Sequence, residues 1–258
     1  MKGNKENGFS IAGKKAIVTG GARGLCNAMA RTLHDSGAEV VLIDIDETAL
    51  TAAAQAMGGS KGQVHYVVGD LSNLENLENV YRQALEKLGG RLDILLNGAG
   101  IQYRCKAEDF PLDRWQKILG INLNAVFVLS QMAGKTMLAQ GSGKIINIAS
   151  MTSFFGSEMV PAYAASKGAV MQLTKALSNE WAGKGINVNA IAPGYMDTPL
   201  NTAIINDPVR NHEITLRIPA HRWGLPEDLK GTVIYLASSA SDYVSGAIIP
   251  IDGGYLGR

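Results

Sequence analysis

The chain has 258 residues, 46% of them apolar and 18% charged, enough to fill the core of one large α/β domain and too apolar for a disordered chain. Its formal net charge is +1, with no block of one sign, which excludes the concentrated basic face of a nucleic-acid or membrane-surface protein. The two cysteines, Cys26 and Cys105, have neither metal-type spacing nor the numbers of a disulfide framework, so no metal is expected and a cytoplasmic location is.

Residues 1–10, MKGNKENGFS, predict a polar tail without the apolar centre of a signal peptide. Residues 14–20, KKAIVTG, predict a first strand running into the glycine-rich stretch TGGARGLC at 19–26. Leu25, Met29 and Leu33 then recur every four residues, the period of one helical face. A second strand at 38–44 ends on Asp44, and Asp46 is well placed to cap a helix over 46–57. Further strands are predicted at 63–70, 91–100, 143–150, 185–194 and 246–254, completing seven. Near-continuous apolar strands alternating with helices indicate a parallel sheet covered on both faces. The expected architecture is a single doubly wound, Rossmann-type α/β domain over 1–258. Segment 195–224 has no such period and is the expected lid over a ligand site.

In such a sheet, ligands bind beyond the carboxyl ends of the strands. Gly20, Gly21 and Gly24 follow the first strand there, where glycine lets backbone N–H groups approach a pyrophosphate. Asp44 lies 24 residues after Gly20, close to the spacing of roughly 20 at which an acidic residue meets the adenosine ribose. Its carboxylate would repel a 2′-phosphate, which favours NAD. Arg23, whose guanidinium could pair with that phosphate, keeps NADP open. Tyr163 and Lys167 in YAASK are four apart on a helix expected to begin near Pro161. An ammonium one turn away should lower the phenol below its usual value of about 10 and make it a usable acid/base. Ser150, the NGAG stretch at 97–100 and Asn122 converge on the same rim.

These motifs, with GDL at 69–71, NVNAIAPGY at 187–195 and the terminal DGG, resemble the short-chain dehydrogenase/reductase family over nearly the whole chain. The resemblance implies a nicotinamide-dependent oxidoreductase that uses no metal and is usually a tetramer. It makes Tyr163 the acid/base and Ser150 the hydrogen-bond partner of the substrate oxygen. Lys167 would bind the nicotinamide ribose, and Asn122 would hold a water leading to solvent. Gly20, Arg23, Gly24 and Leu25 would hold the cofactor with Asp44. Asp70 and Leu71 would flank the adenine, Asn97, Gly98 and Ala99 the adenosine ribose, and Pro193, Gly194, Tyr195 and Thr198 the nicotinamide.

GIQYR, SMTSFFG and RIPAHRWGLPEDL look like the family's sugar-acid branch, which acts on gluconate- and deoxygluconate-type substrates. Arg104 could bind the carboxylate as a fork, or be a solvated or inter-subunit arginine. Arg222 is better explained by packing beside Trp223, and Tyr195, Glu158 and Met159 could shape the pocket. A 3-oxoacyl reductase, a sugar-alcohol dehydrogenase and a non-catalytic NAD sensor are the alternatives. Two departures from the family pattern stand out: Gly98, where NNAG is commoner, and Cys26, where the loop usually has its third glycine. The Cys26 thiol is expected to turn away from the pyrophosphate.

Overall fold

A computed structural model describes residues 8–58 and 63–257. The polar tail expected at 1–10 lies outside the described residues up to residue 7. Residues 8 and 9 are packed: Gly8 O accepts from Ala240 N at 2.8 Å and Phe9 tilts against Tyr235.

Among the described residues the seven strands are β1 (Lys15–Thr19), β2 (Glu39–Asp44), β3 (Val64–Val68), β4 (Ile94–Asn97), β5 (Gly143–Ile148), β6 (Ile186–Pro193) and β7 (Ile248–Ile251). They form one sheet in the order β3-β2-β1-β4-β5-β6-β7, and every pairing is parallel. Strand order reverses between β1 and β4, which opens a crevice at their carboxyl ends. The principal helices are α1 (Gly24–Asp35), α2 (Glu47–Met57), α3 (Leu77–Lys87), α4 (Leu112–Leu119), α5 (Ala125–Gln140), α6 (Pro161–Trp181), α7 (Thr202–Ile205), α8 (Pro208–Arg217) and α9 (Lys230–Ala237). Asp46 caps α2, its side chain accepting from Ala49 N at 2.9 Å.

The alternation of each strand divides the core into two layers. Ala16 and Val18 face α1, α2 and α9, where Met29, Leu33, Leu50 and Val233 are buried. Ile17 faces the opposite layer, with Leu77, Val80, Leu129 and Trp181 of α3, α5 and α6. Each fully buried Leu or Ile contributes about 1.5–3 kcal/mol by leaving water. The two layers thereby fix the sheet that carries the functional rim. No helix among the described residues is long and apolar enough to cross a membrane.

Candidate active site

The glycine stretch turns between β1 and α1 with positive φ at Gly20 (68°) and Gly24 (61°), conformations that side chains rarely adopt. A β-carbon on Gly20 would stand 2.9 Å from the Ala99 Cα, so the two loops meet as bare backbone. Thr19 locks them together: its hydroxyl accepts from Gly98 N at 3.0 Å and Ala99 N at 3.2 Å. The opening threonine of TGGARGLC is the only local hint of that role.

Gly98 and Cys26, two separate departures in the sequence, meet in space. The Cys26 sulfur occupies the position that a side chain at residue 98 would fill. Cys26 is buried, and burial pushes its thiol up to about 12, so it stays a protonated packing group. The thiol faces Gly98 at the end of β4, inside the molecule.

Asp44 sits against the same loop. Its carboxylate accepts from Ala22 N at 3.3 Å, Ile45 N at 2.8 Å and Asp46 N at 3.3 Å. The Arg23 guanidinium pairs with Asp46. Asp70 caps the turn after β3 through Ser72 N and Oγ at 2.8 and 2.7 Å, beside the buried Leu71. The Asn97 side chain departs from the expected ribose role. It is buried and donates to Ser130 Oγ and Asn147 Oδ1, each at 2.9 Å, behind the rim. Its Oδ1 is an unpartnered buried oxygen. The bare loop, the carboxylate beside it and the open strand ends fit a dinucleotide.

At the reactive end, Ser150 follows β5 by two residues, and Tyr163 lies in the first turn of α6. The Ser150 hydroxyl acts on the phenol in favour of phenolate, while burial acts more strongly and raises Tyr163 above its usual value. This corrects the expectation that Lys167 depresses it. The Lys167 ammonium is 5.7 Å from the Tyr163 ring centre and donates to Ile148 O at 2.6 Å. Burial pulls Lys167 itself down to about 8. Two serines that the motif reading missed tie this end down. Ser153 Oγ donates to Lys167 O at 2.7 Å and accepts from Ser150 N at 3.3 Å. Ser166 Oγ donates to Tyr163 O at 2.7 Å.

Asn122 lies in a π-helical stretch, Gly120–Asn124, between α4 and α5. Such wide turns are rare and often mark functional sites. Its side chain clamps the backbone of Ile101, accepting from the N–H and donating to the carbonyl, each at 2.9 Å, and also donates to Ser166 Oγ at 3.1 Å.

Ser150 and Tyr163 open into a cavity of about 820 Å³. Leu25, Pro193, Gly194, Tyr195 and Thr198 line it, and so do residues of segment 195–224, which folds into α7 and α8. An aromatic wall joins Tyr195 edge-on to Trp223 at 5.4 Å and to Tyr255 at 5.5 Å. Arg104 and Glu158 reach this cavity, with Arg210, Glu213 and Arg217 from α8. Arg222 instead grips Asp228 through two hydrogen bonds of 2.7 and 2.8 Å, the packing role expected of it.

A model of the short chain dehydrogenases matches residues 14–208. The chain belongs to the short-chain dehydrogenase family. The family's cofactor is a nicotinamide dinucleotide, in keeping with the crevice between β1 and β4. The 2-dehydro-3-deoxy-D-gluconate 5-dehydrogenase of Bacillus subtilis (strain 168) is 46% identical over 99% of this chain and 100% of its own length. The 5-keto-D-gluconate 5-reductase of Escherichia coli (strain K12) is 36% identical over 96% of this chain and 97% of its own. The crystal structure of a gluconate 5-dehydrogenase from Burkholderia cenocepacia J2315, in complex with NADP and tartrate, has a TM-score of 0.92 and 37% identity, with 97% of this chain and 98% of that chain covered. These similarities bear out the resemblance to the sugar-acid branch of the short-chain dehydrogenases.

Proposed function

We propose that the chain exchanges a hydride between NAD and a secondary alcohol, or the matching ketone, of a gluconate- or deoxygluconate-type sugar acid. One observation carries the reading: Ser150 and Tyr163 open together into a cavity that the Arg104 guanidinium also lines. The names of the Bacillus subtilis and Escherichia coli relatives support the substrate class.

Gly20, Arg23, Gly24 and Leu25 would hold the pyrophosphate side of the cofactor and Asp44 the adenosine ribose. Asp70 and Leu71 would flank the adenine, with Gly98 and Ala99 beside the ribose. Pro193, Gly194, Thr198, Tyr163 and Lys167 would border the nicotinamide, which supplies the hydride acceptor or donor when bound. Tyr163 takes the hydroxyl proton during oxidation and returns it during reduction. Ser150 orients the substrate oxygen and favours the phenolate against the effect of burial. Asn122 holds the Ile101 loop against α6 and keeps Lys167 in register.

Asp44 beside the glycine loop and the attachment of Arg23 to Asp46 support NAD over NADP. The NADP in the Burkholderia cenocepacia complex makes both cofactors necessary in the assay. Segment 195–224 acts as a lid. The reading includes a cytoplasmic homotetramer; the exposed Leu112 and Phe127 on α4 and α5 support burial against further copies, and sedimentation measures the assembly.

Initial rates on a panel of sugar acids, neutral polyols and 3-oxoacyl esters, each with NAD and NADP, test the reading. Sugar acids with NAD are expected to give the highest kcat/KM. A neutral polyol or an acyl ester as the best substrate would overturn the assignment.

A further inference from the structure

The cavity wall carries more positive charge than one carboxylate-binding arginine would need. Arg104, Arg210 and Arg217 line it, against Glu158 and Glu213. Arg217 is occupied, its guanidinium lying 5.0 Å over the Tyr255 ring. Arg104 comes from the loop after β4 and Arg210 from the first turn of α8, and both line the one cavity. Neither forms an ion pair with Glu158, Glu213 or any other carboxylate among the described residues.

The two guanidinium groups also feel one another. Arg104 is held below its ordinary value first by its partial withdrawal from water in the cavity wall and then by the charge of Arg210. Arginine does not escape such repulsion by releasing its proton, because its pKa stays far above neutrality. An anion placed between the two groups converts repulsion into two charge-assisted contacts.

The backbone gives Arg210 a defined origin. Asp207 caps α8 by accepting from Val209 N and Arg210 N, each at 3.1 Å. Trp223 Nε1 donates to Asn211 Oδ1 at 2.8 Å and fastens the helix to the aromatic wall. Arg210 is therefore the cationic arm of a helix that borders the substrate cavity on one side and solvent on the other.

We infer that Arg104 and Arg210 grip one substrate carboxylate between them, so that the acid group of the sugar acid joins the β4 loop to helix α8 over the reacting carbon. Arg210 is thus a specificity-determining residue on the lid. The inference rests on the sugar-acid reading and extends it from which substrate is bound to what closes over it.

The test uses the full chain with saturating NAD, its best sugar acid, and the neutral polyol of the same carbon skeleton. Arg210→Gln is expected to raise KM for the acid roughly ten- to a hundredfold, the effect of losing a hydrogen bond to a charged group. Its kcat and the KM for NAD should stay within about twofold, because the interaction is made equally before and during hydride transfer. The neutral polyol should be unaffected. Arg210→Lys should recover part of the loss, having the charge without the fork. Arg104→Gln combined with Arg210→Gln should cost less than the product of the single effects, because both act on one anion. Unfolding curves that match wild type establish that the variants are folded.

A KM for the acid that Arg210→Gln leaves unchanged, or a change shared equally by acid and polyol, would overturn the inference. If wild type prefers acids and Arg104→Gln alone weakens them, the two-arginine grip fails while the sugar-acid reading stands. If wild type shows no preference for acids, both fall together.

Discussion

The two halves of the active site are built in opposite ways. At the sheet edge, Ser150, Lys167 and Asn122 are buried, and hydrogen bonds to nearby backbone or serines account for their polar groups. Across the cavity, Arg104, Arg210 and Glu213 stand exposed on a loop and a short helix, without charged partners among the described residues. The first half is rigid because a misplaced buried polar group is expensive, and the geometry of proton transfer profits from that rigidity. The second half is held more loosely, so its charges remain available to a ligand. On the proposed reading, reaction type and substrate choice are thus carried by different physical parts of the molecule.

The largest expected effect belongs to the buried half. Ser150→Ala removes a hydrogen bond to the reacting oxygen and should lower kcat by about 10²–10³-fold. It should also move the pH profile. Alcohol oxidation needs the Tyr163 phenolate, so its rate rises with pH; ketone reduction needs the phenol and falls. Because Ser150 lowers the phenol and burial raises it, removing Ser150 should shift both limbs to higher pH. A profile of kcat/KM against pH in each direction checks the sign, and a shift to lower pH would count against Ser150 as the influence favouring phenolate.

A smaller effect is expected where the cofactor crevice meets the core. Gly98→Ala drives a methyl group into the Cys26 sulfur and should destabilise the fold by roughly 1–3 kcal/mol, as overpacking does. Cys26→Gly made in the same chain should return most of that loss. Denaturant unfolding of the four proteins in the cycle measures the coupling, and independent, additive changes would mean that the pair is not reciprocal.

The smallest effect concerns the exposed corner of the cofactor site. Asp46→Asn keeps an oxygen to cap α2 and weakens the hold on Arg23. NADP should gain about two- to fivefold in kcat/KM relative to NAD, the scale of an exposed ion pair. An unchanged ratio would leave Asp44 as the sole discriminator.

Much of this is legible in the sequence. The seven strands are mostly apolar runs, and Asp44, Ser150, Tyr163 and Lys167 lie where strand ends and helical spacing put them. The parts that escaped depend on contacts remote in sequence. Asn122 is in a π-helical stretch whose side chain clamps Ile101 across the rim, and helical periodicity does not report a wide turn. Cys26 and Gly98 look like two unrelated irregularities until the fold brings them together. Arg210 lies in a segment without apolar period, where α8 forms behind its Asp207 cap and against Trp223. The expected influence of Lys167 on Tyr163 failed for a physical reason: four-residue spacing puts the two on one face, yet the ammonium turns to Ile148 O.

The division of labour is tested most directly by measuring kcat and KM for the same sugar acid in Tyr163→Phe and Arg104→Gln side by side, with NADH binding followed by fluorescence. Tyr163→Phe should lose turnover by about 10²–10⁴-fold while still binding NADH, and Arg104→Gln should raise KM with kcat nearly unchanged. Substantial turnover in Tyr163→Phe, or a collapse of kcat in Arg104→Gln without a change in KM, would contradict the account.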